Sequence, residues 1–249
     1  TVAERFGGEI VNFDSVQLYR GFDIGSAKTP LSKRRGVAHH LLGLINPNEQ
    51  ITAGDYTRRA REILPEIDAR CQLPILVGGT GFYLRALLDG LFPGPARDRL
   101  LRERLSKKAS TSSADYLHRL LNRLDTKAAN RIHPNDHAKL IRAIEVCITG
   151  QSPMSELWNT RTNTLKNYEV LRLGLDPPRE KLRKRIEERT QQMFSNGLLE
   201  EISGLLSQGV SQNAWPFRAL GYKQALAHLN GVLTVEQAIL ETIVQTQRY

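Results

Sequence analysis

Cysteine is scarce in this chain. Its 249 residues carry two, Cys71 and Cys147, far apart and without a CxxC pair. That argues against a disulfide scaffold or a zinc site and suits a reducing, cytoplasmic setting. Long apolar runs are missing as well. None approaches the roughly 20 residues that a bilayer span needs, and no leader-peptide pattern opens the sequence, so no membrane partner is expected. Internal repeats and low-complexity tracts are absent too. Acids are outnumbered, 26 Asp plus Glu against 35 Lys plus Arg, for a formal net charge of +9. Such an excess commonly marks a polyanionic partner, although many basic proteins bind none specifically. Hydrophobic residues at 40% and charged residues at 24% are ordinary for a globular chain of this length, which suits one large domain or a domain with an insertion.

The stretch VNFDSVQLYRGFDIGSAK, residues 11–28, organises the rest. A short apolar strand, Gly8 to Phe13, stops at Asp14-Ser15. A carboxylate and a hydroxyl at the C-terminal end of a strand stand where open α/β sheets place their ligand crevice. At Gly25-Ser26-Ala27-Lys28 small residues allow close backbone approach, and the lysine is a point charge suited to phosphate. Taken alone, the pattern is equally a strand, a solvated turn and a surface lysine.

Further along, HHLLGLI (39–45) predicts a second strand ended by Asn46-Pro47-Asn48. The paired histidines have no metal-ligating neighbours and are read as structural. Thr52 caps a helix whose Tyr56, Ala60, Ile63, Leu64 and Ile67 recur at helical spacing. LPILV (73–77) predicts a strand buried on both faces. Gly78-Gly79-Thr80-Gly81 then leads into a helix, Phe82 to Leu91, and a helix N-terminus behind a glycine turn favours anions. GGTG alone is a weak motif and is equally a plain tight turn. Alternating strands and helices predict a parallel α/β sheet. After Phe92-Pro93-Gly94-Pro95 the strand signals vanish. ARDRLLRERLSKK, SADYLHRLLNRL and DHAKLIRAIEVCITG predict three basic helices, the last capped by Asp136 and followed by Gly150. Arg-rich helices are usually solvated faces, but several in one module fit an anionic surface partner. YEVLRLGL (168–175) returns to the strand pattern, and Asp176-Pro177-Pro178 opens a long helix carrying Arg179, Arg185 and Arg189. Glu187 and Glu188 are placed to take up part of that charge. Gly197 opens another helix, and RALGYK (218–223) sets basic residues beside an aromatic, a combination suited to a nucleic-acid strand.

Together DSVQLYRGFDIGSAK, HHLLGLINPNE, LPILVGGTGFYLRALLDGL, RIHPNDHAKLIRAIEV, the PPRE-to-RIEER helix and RALGYKQ occur in an order that resembles the bacterial tRNA dimethylallyltransferases (tRNA isopentenyltransferases, the IPP transferase family). The resemblance covers nearly the whole chain. It implies an α/β fold, a P-loop-kinase-like parallel sheet core over 1–93 and 161–249 with an inserted all-helical domain over 94–160 that contacts the tRNA anticodon arm. It also implies transfer of a dimethylallyl group from dimethylallyl diphosphate to N6 of adenosine 37, with Mg2+ and release of diphosphate, by a cytoplasmic monomer. By motif position Asp14 is the general base, and Thr80 lies beside the transferring group. Lys28, Arg179 and Arg185 face the diphosphate. Asp14, Ser15, Val16, Gln17 and Thr80 contact the tRNA nucleotide, and Ser15 and Gln17 address the flipped-out base. Arg102, Ala138, Lys139, Leu140, Ile141, Arg142, Arg218, Ala219, Leu220, Gly221, Tyr222 and Lys223 fall on stretches that hold tRNA.

The family's GxxxxGK[ST] loop, which binds diphosphate and Mg2+, would precede Thr1, and a basic C-terminal helix would follow Tyr249. Thr1 reads as the last turn of a helix and TQRY as the middle of another, so we expect both elements in the full protein. Three other readings compete: a small-molecule kinase on the same core, an isopentenyltransferase acting on free adenine nucleotides, and a non-catalytic RNA-binding module. Against the kinase stand the basic insertion and the Asp14-Ser15, Gln17 and Tyr19 stretch, where a kinase would need acceptor-specific arginines. Against the second stand the basic insertion and RALGYK, because a mononucleotide acceptor needs no grip on an anticodon arm.

Overall fold

The computed structural model describes residues 2–158, 160, 162 and 164–249. In chain order the elements begin α1 (Val2–Phe6), β1 (Gly8–Asn12), β2 (His39–His40), α2 (Ala53–Ala69), β3 (Leu73–Val77) and α3 (Gly81–Asp89). Five more helices follow: α4 (Arg99–Thr111), α5 (Tyr116–Leu124), α6 (Thr126–Arg131), α7 (His137–Gly150) and α8 (Met154–Leu157). The chain closes with α9 (Arg179–Ser195), α10 (Leu198–Ser207), α11 (Tyr222–Leu229) and α12 (Val235–Arg248). Two compact units result, residues 2–87 with Tyr168–Tyr249, and Leu88–Asn167. The helical unit thus starts before the Pro-Gly linker and ends after residue 160. The chain entering it and the chain leaving it are tied together, through Leu165 N to Leu88 O and a bridge between Leu91 and Thr162.

In the first unit three parallel strands are ordered β2-β1-β3, with Ile10 opposite both His39 and Ile75. The link from β2 to β3 is α2. Its start is a reciprocal capping box, in which the Thr52 hydroxyl accepts from Asp55 N and the Asp55 carboxylate accepts from Thr52 N. Tyr56, Ala60, Leu64 and Ile67 form its buried face, as the spacing predicts. The link from β1 to β2 contains no α-helix. It is the stretch from Asp14 to Lys28 and the turn beyond, so the segment with the most chemistry is loop carried on rigid strands.

The structure corrects several expectations. The second strand stops at His40, because Leu41 and Gly43 take positive φ (60° and 62°) and turn the chain. Only Ile45 pairs again, with Tyr19. Among the described residues strand β3 is at the edge of the sheet and is not buried on both faces: Leu73 and Val77 are about half exposed. Residues 168–175 form no strand, and Leu171, Leu173 and Leu175 are 82%, 79% and 97% exposed. Apolar alternation requires a neighbouring ladder to become a strand, and among the described residues this segment has none. Helix α3 ends at Asp89 rather than Leu91, and Gly150 is the last residue of α7, with Gln151 taking the left-handed cap. No helix among the described residues is long and apolar enough to cross a membrane.

Glu9 ties the three strands' neighbourhood together. Its carboxylate accepts two hydrogen bonds from Arg70, each 2.8 Å, and lies 2.6 Å from His40 Nε2. The Arg70 hydrogen bonds, aided by His40, hold the Glu9 carboxyl down at about 2 against a usual 4.5, although burial opposes them. A depressed carboxylate stabilises the fold above its unfolded pKa and loses that contribution as pH falls through the folded one. The stability gap between wild type and Glu9→Gln is therefore expected to be about 1–2 kcal/mol at neutral pH, discounted for the half-exposed arginine. It should shrink steadily below pH 4.5. Urea titrations at several pH values check this, and a gap that stays constant down to pH 2 would contradict it.

In the helical unit the apolar faces of α4, α5, α6 and α7 meet. Leu117, Leu121, Leu140 and Ile144 are fully buried there, with Leu105, Ala128 and Ile132 around them. Asp125 caps α6 through Ala128 N and also accepts from Ser155 N, which anchors α8. Asp136 caps α7 through Lys139 N, as expected.

Candidate active site and nucleic-acid interface

Asp14 and Thr80 are 66 residues apart in sequence, yet they share one sheet end because β1 and β3 are parallel neighbours that finish together. The Thr80 hydroxyl accepts from Ser15 N at 3.0 Å and donates to Ser15 Oγ at 3.1 Å. Gly78 makes this approach possible: a Cβ there would lie 2.6 Å from Phe13 C and 2.7 Å from Asp14 N. The GGTG run is therefore more than a tight turn.

Asp14 is braced from both sides. Asn12, buried beneath it, accepts from Asp14 N through Oδ1 and donates through Nδ2 to Asp14 O and Leu41 O. One carboxylate oxygen, Oδ1, accepts from Val16 N at 2.8 Å and Gln17 N at 3.2 Å. The residue itself is partly exposed. A carboxylate held this way can accept a proton without swinging. Sequence reasoning missed Asn12, although a polar residue closing an apolar strand was the available signal.

The loop that follows is internally tied. Gln17 Nε2 donates to Ser26 O, and Gln17 O accepts from Gly43 N. The Gln17 side chain is thus a brace as well as a candidate base contact. Lys28 is nearly covered, with a side chain 8% exposed. Its ammonium donates to Tyr19 O at 2.7 Å and pairs with Asp23 Oδ1 at 2.5 Å. Tyr19 stacks on Trp215, and Phe22 lies edge-on to Phe217 and tilted against Tyr222, so an aromatic cluster clamps the loop to the C-terminal helices.

Arg179 opens α9 and Arg185 lies further along it, both exposed. The acidic neighbours are engaged elsewhere, Glu188 with Lys184 and Glu187 with Gln247. Arg218 and Lys223 are exposed, and Ala219 and Leu220 partly so. Gly221 and Tyr222 are buried. The RALGYK aromatic therefore offers no face to a base, and burial first, then the nearby Glu201 carboxylate, drives its hydroxyl pKa upward.

In the helical unit Ala138 and Lys139 are exposed, with Lys139 paired to Asp136 at 2.6 Å. Leu140 and Ile141 are core residues whose side chains are closed to a ligand. Arg102 and Arg142 converge on Glu145, which is wholly buried, at 3.7 and 2.6 Å. Glu145 also accepts from Asp98 N, and Arg142 donates to Pro95 O. The sequence carries one signal for this residue: an acid inside an apolar helix stripe, three positions after an arginine. Among the described residues no three His, Cys, Asp or Glu side chains gather as a metal site.

Comparison with known proteins places the whole chain among relatives. The family model described as IPP transferase matches residues 17–249. A tRNA dimethylallyltransferase of Solibacter usitatus is 52% identical over 248 residues, covering all of this chain and 80% of its own length. One from Koribacter versatilis is 53% identical over 238 residues, covering 96% of this chain and 77% of its own. Among solved structures, a full-length tRNA isopentenylpyrophosphate transferase from Bacillus halodurans matches all of this chain and 77% of its own, with TM-score 0.69 and 34% identity. A eukaryotic dimethylallyltransferase acting on tRNA matches all of this chain and 63% of its own, with TM-score 0.82 and 27% identity. With the family model running through the braced loop to the last helix, and relatives more than half identical, this chain belongs to the IPP transferase family.

Proposed function

We propose that this chain modifies tRNA, transferring a dimethylallyl group from dimethylallyl diphosphate to N6 of adenosine 37 in the anticodon stem-loop. The observation that carries the reading is the Asp14–Ser15–Thr80 assembly at the shared end of β1 and β3. In the reaction the N6 nitrogen forms a bond to the allylic carbon. The C–O bond to diphosphate breaks with its electron pair leaving on oxygen, and the N6 proton passes to the Asp14 carboxylate. An exocyclic amine is a poor nucleophile until a positioned acceptor takes that proton. Ser15 and Thr80 hold the adenine side, while Lys28, Arg179 and Arg185 balance the charge that builds on the departing diphosphate. The target base leaves the loop stack to reach the carboxylate.

Magnesium accompanies the diphosphate in this reading. Among the described residues no three His, Cys, Asp or Glu side chains gather that could hold the ion by themselves. Free thiols at Cys71 and Cys147 suit a cytoplasmic enzyme, which we read as a monomer.

Labelled dimethylallyl diphosphate, full-length protein and an unmodified anticodon stem-loop test the proposal directly. Label in the RNA supports it; label on AMP alone, or nowhere, refutes it. The exposed Arg218 should behave as a phosphate contact. Arg218→Ala is expected to weaken stem-loop binding and to lower the slope of log affinity against log salt by about 1. Binding isotherms from low to high salt would reveal an unchanged slope, which would remove Arg218 from the interface.

A further inference from the structure

Glu201 on α10 is partly exposed and belongs to none of the contacts assigned above. Its Oε2 accepts from two successive backbone amides, Asp23 N at 3.0 Å and Ile24 N at 2.7 Å. Its Oε1 accepts from the buried Tyr222 hydroxyl at 2.6 Å. Burial keeps that phenol protonated, so it is the donor in the pair. The Tyr222 ring presses directly on the same loop: a Cβ on Gly25 would lie 2.6 Å from two of its ring carbons. Only glycine allows the loop to seat there.

From Asp23 the tie continues to a charge. Asp23 O accepts from Lys28 N, and Asp23 Oδ1 holds the Lys28 ammonium. The connection therefore runs from the Tyr222 hydroxyl to the Glu201 carboxylate, to the amides of Asp23 and Ile24, and through the Asp23 side chain to Lys28. Four hydrogen bonds make this path, joined through the Asp23 residue itself, and each is to a carboxylate, the stronger kind.

We infer that Glu201 and Tyr222 are positioning residues for Lys28, holding its ammonium where the allylic diphosphate binds rather than contacting tRNA. This rests on the reading that Lys28 faces the diphosphate. A cation preorganised by a rigid loop stabilises a departing diphosphate without rearranging, and a loosened loop loses that advantage. The effect belongs to the donor, because the tied residues are those of the Asp23–Lys28 turn and not the exposed Arg218 and Lys223.

The test compares Tyr222→Phe, Glu201→Gln, their double variant and Lys28→Ala in the full-length protein. Donor KM, kcat, stem-loop Kd and melting temperature are measured for each. Tyr222→Phe keeps the ring that fills the space, and Glu201→Gln keeps an acceptor for the amides, so both variants should fold. Each is expected to raise the KM for dimethylallyl diphosphate about tenfold, the scale of one lost hydrogen bond to a charged group. The stem-loop Kd should not change, and the double variant should be no worse than Glu201→Gln alone. If Lys28→Ala raises the donor KM while the other variants do not, the positioning role is wrong and the reading of Lys28 stands. If Lys28→Ala leaves the donor KM unchanged, that reading fails and takes the inference with it. A rise in stem-loop Kd matching the rise in donor KM would likewise overturn the assignment, returning Tyr222 and Glu201 to a general structural role.

Discussion

Asp14→Asn should slow dimethylallyl transfer by about 10²- to 10⁴-fold, the usual worth of a positioned general base, while stem-loop affinity stays at the wild-type value. Asparagine is the informative replacement because Asp14 has two functions in the structure. Its Oδ1 caps the turn by accepting from Val16 N and Gln17 N, and an amide oxygen can do the same. What asparagine cannot do is take a proton. Asp14→Ala would remove both functions, and its larger defect would mix a lost base with a loosened turn. Single-turnover transfer at saturating stem-loop, alongside direct binding, separates the two. If the asparagine variant loses binding as steeply as rate, Asp14 anchors the nucleotide and the base must be sought elsewhere.

Glu145→Ala is expected to destabilise the helical unit by about 2–3 kcal/mol. Removing one partner of a buried ion pair costs roughly 3–5 kcal/mol because the other charge is stranded. Here Arg102 and Arg142 are each about a quarter exposed, so water screens part of that cost. The substitution also leaves Asp98 N without its acceptor, just ahead of α4. Glu145→Gln retains an acceptor for that amide and should lose less. Chemical denaturation of both variants measures the difference, and a loss below about 0.5 kcal/mol for alanine, the level of an ordinary surface change, would show that the cluster is not structural. The same residue bears on recognition. One carboxylate shared by two guanidiniums leaves a net positive charge at a fixed place, so alanine should also spread the two arginines and weaken stem-loop binding.

The helices were the most legible part of the chain. Thr52 and Asp136 mark the starts of α2 and α7 because their side chains accept hydrogen bonds within one turn, and Gly197 marks the start of α10 through a left-handed φ of 95° that favours glycine. Strands were less legible. YEVLRLGL and the tail of HHLLGLI alternate as strands do, but pairing depends on a neighbour that sequence spacing does not name, and Leu41 and Gly43 turn instead. Buried charge was least legible of all. Arg102, Arg142 and Tyr222 read locally as a basic and aromatic surface, whereas the folded chain turns the arginines onto Glu145 and the tyrosine onto Glu201.

By itself, then, the sequence determined the residue types at the strand end, the α/β alternation, the basic helical insertion and the family they add up to. Each of these rests on short-range order along the chain. Only the tertiary structure decided which distant residues meet: Thr80 with Ser15, Glu201 with the Asp23–Ile24 amides, and Glu145 with Arg102. The physical reason is that these bonds are made between segments 43 to 178 residues apart, Arg102 to Glu145 at the near end and Asp23 to Glu201 at the far end. The packing of strands and helices, rather than any local preference, brings such segments within 3 to 4 Å of each other.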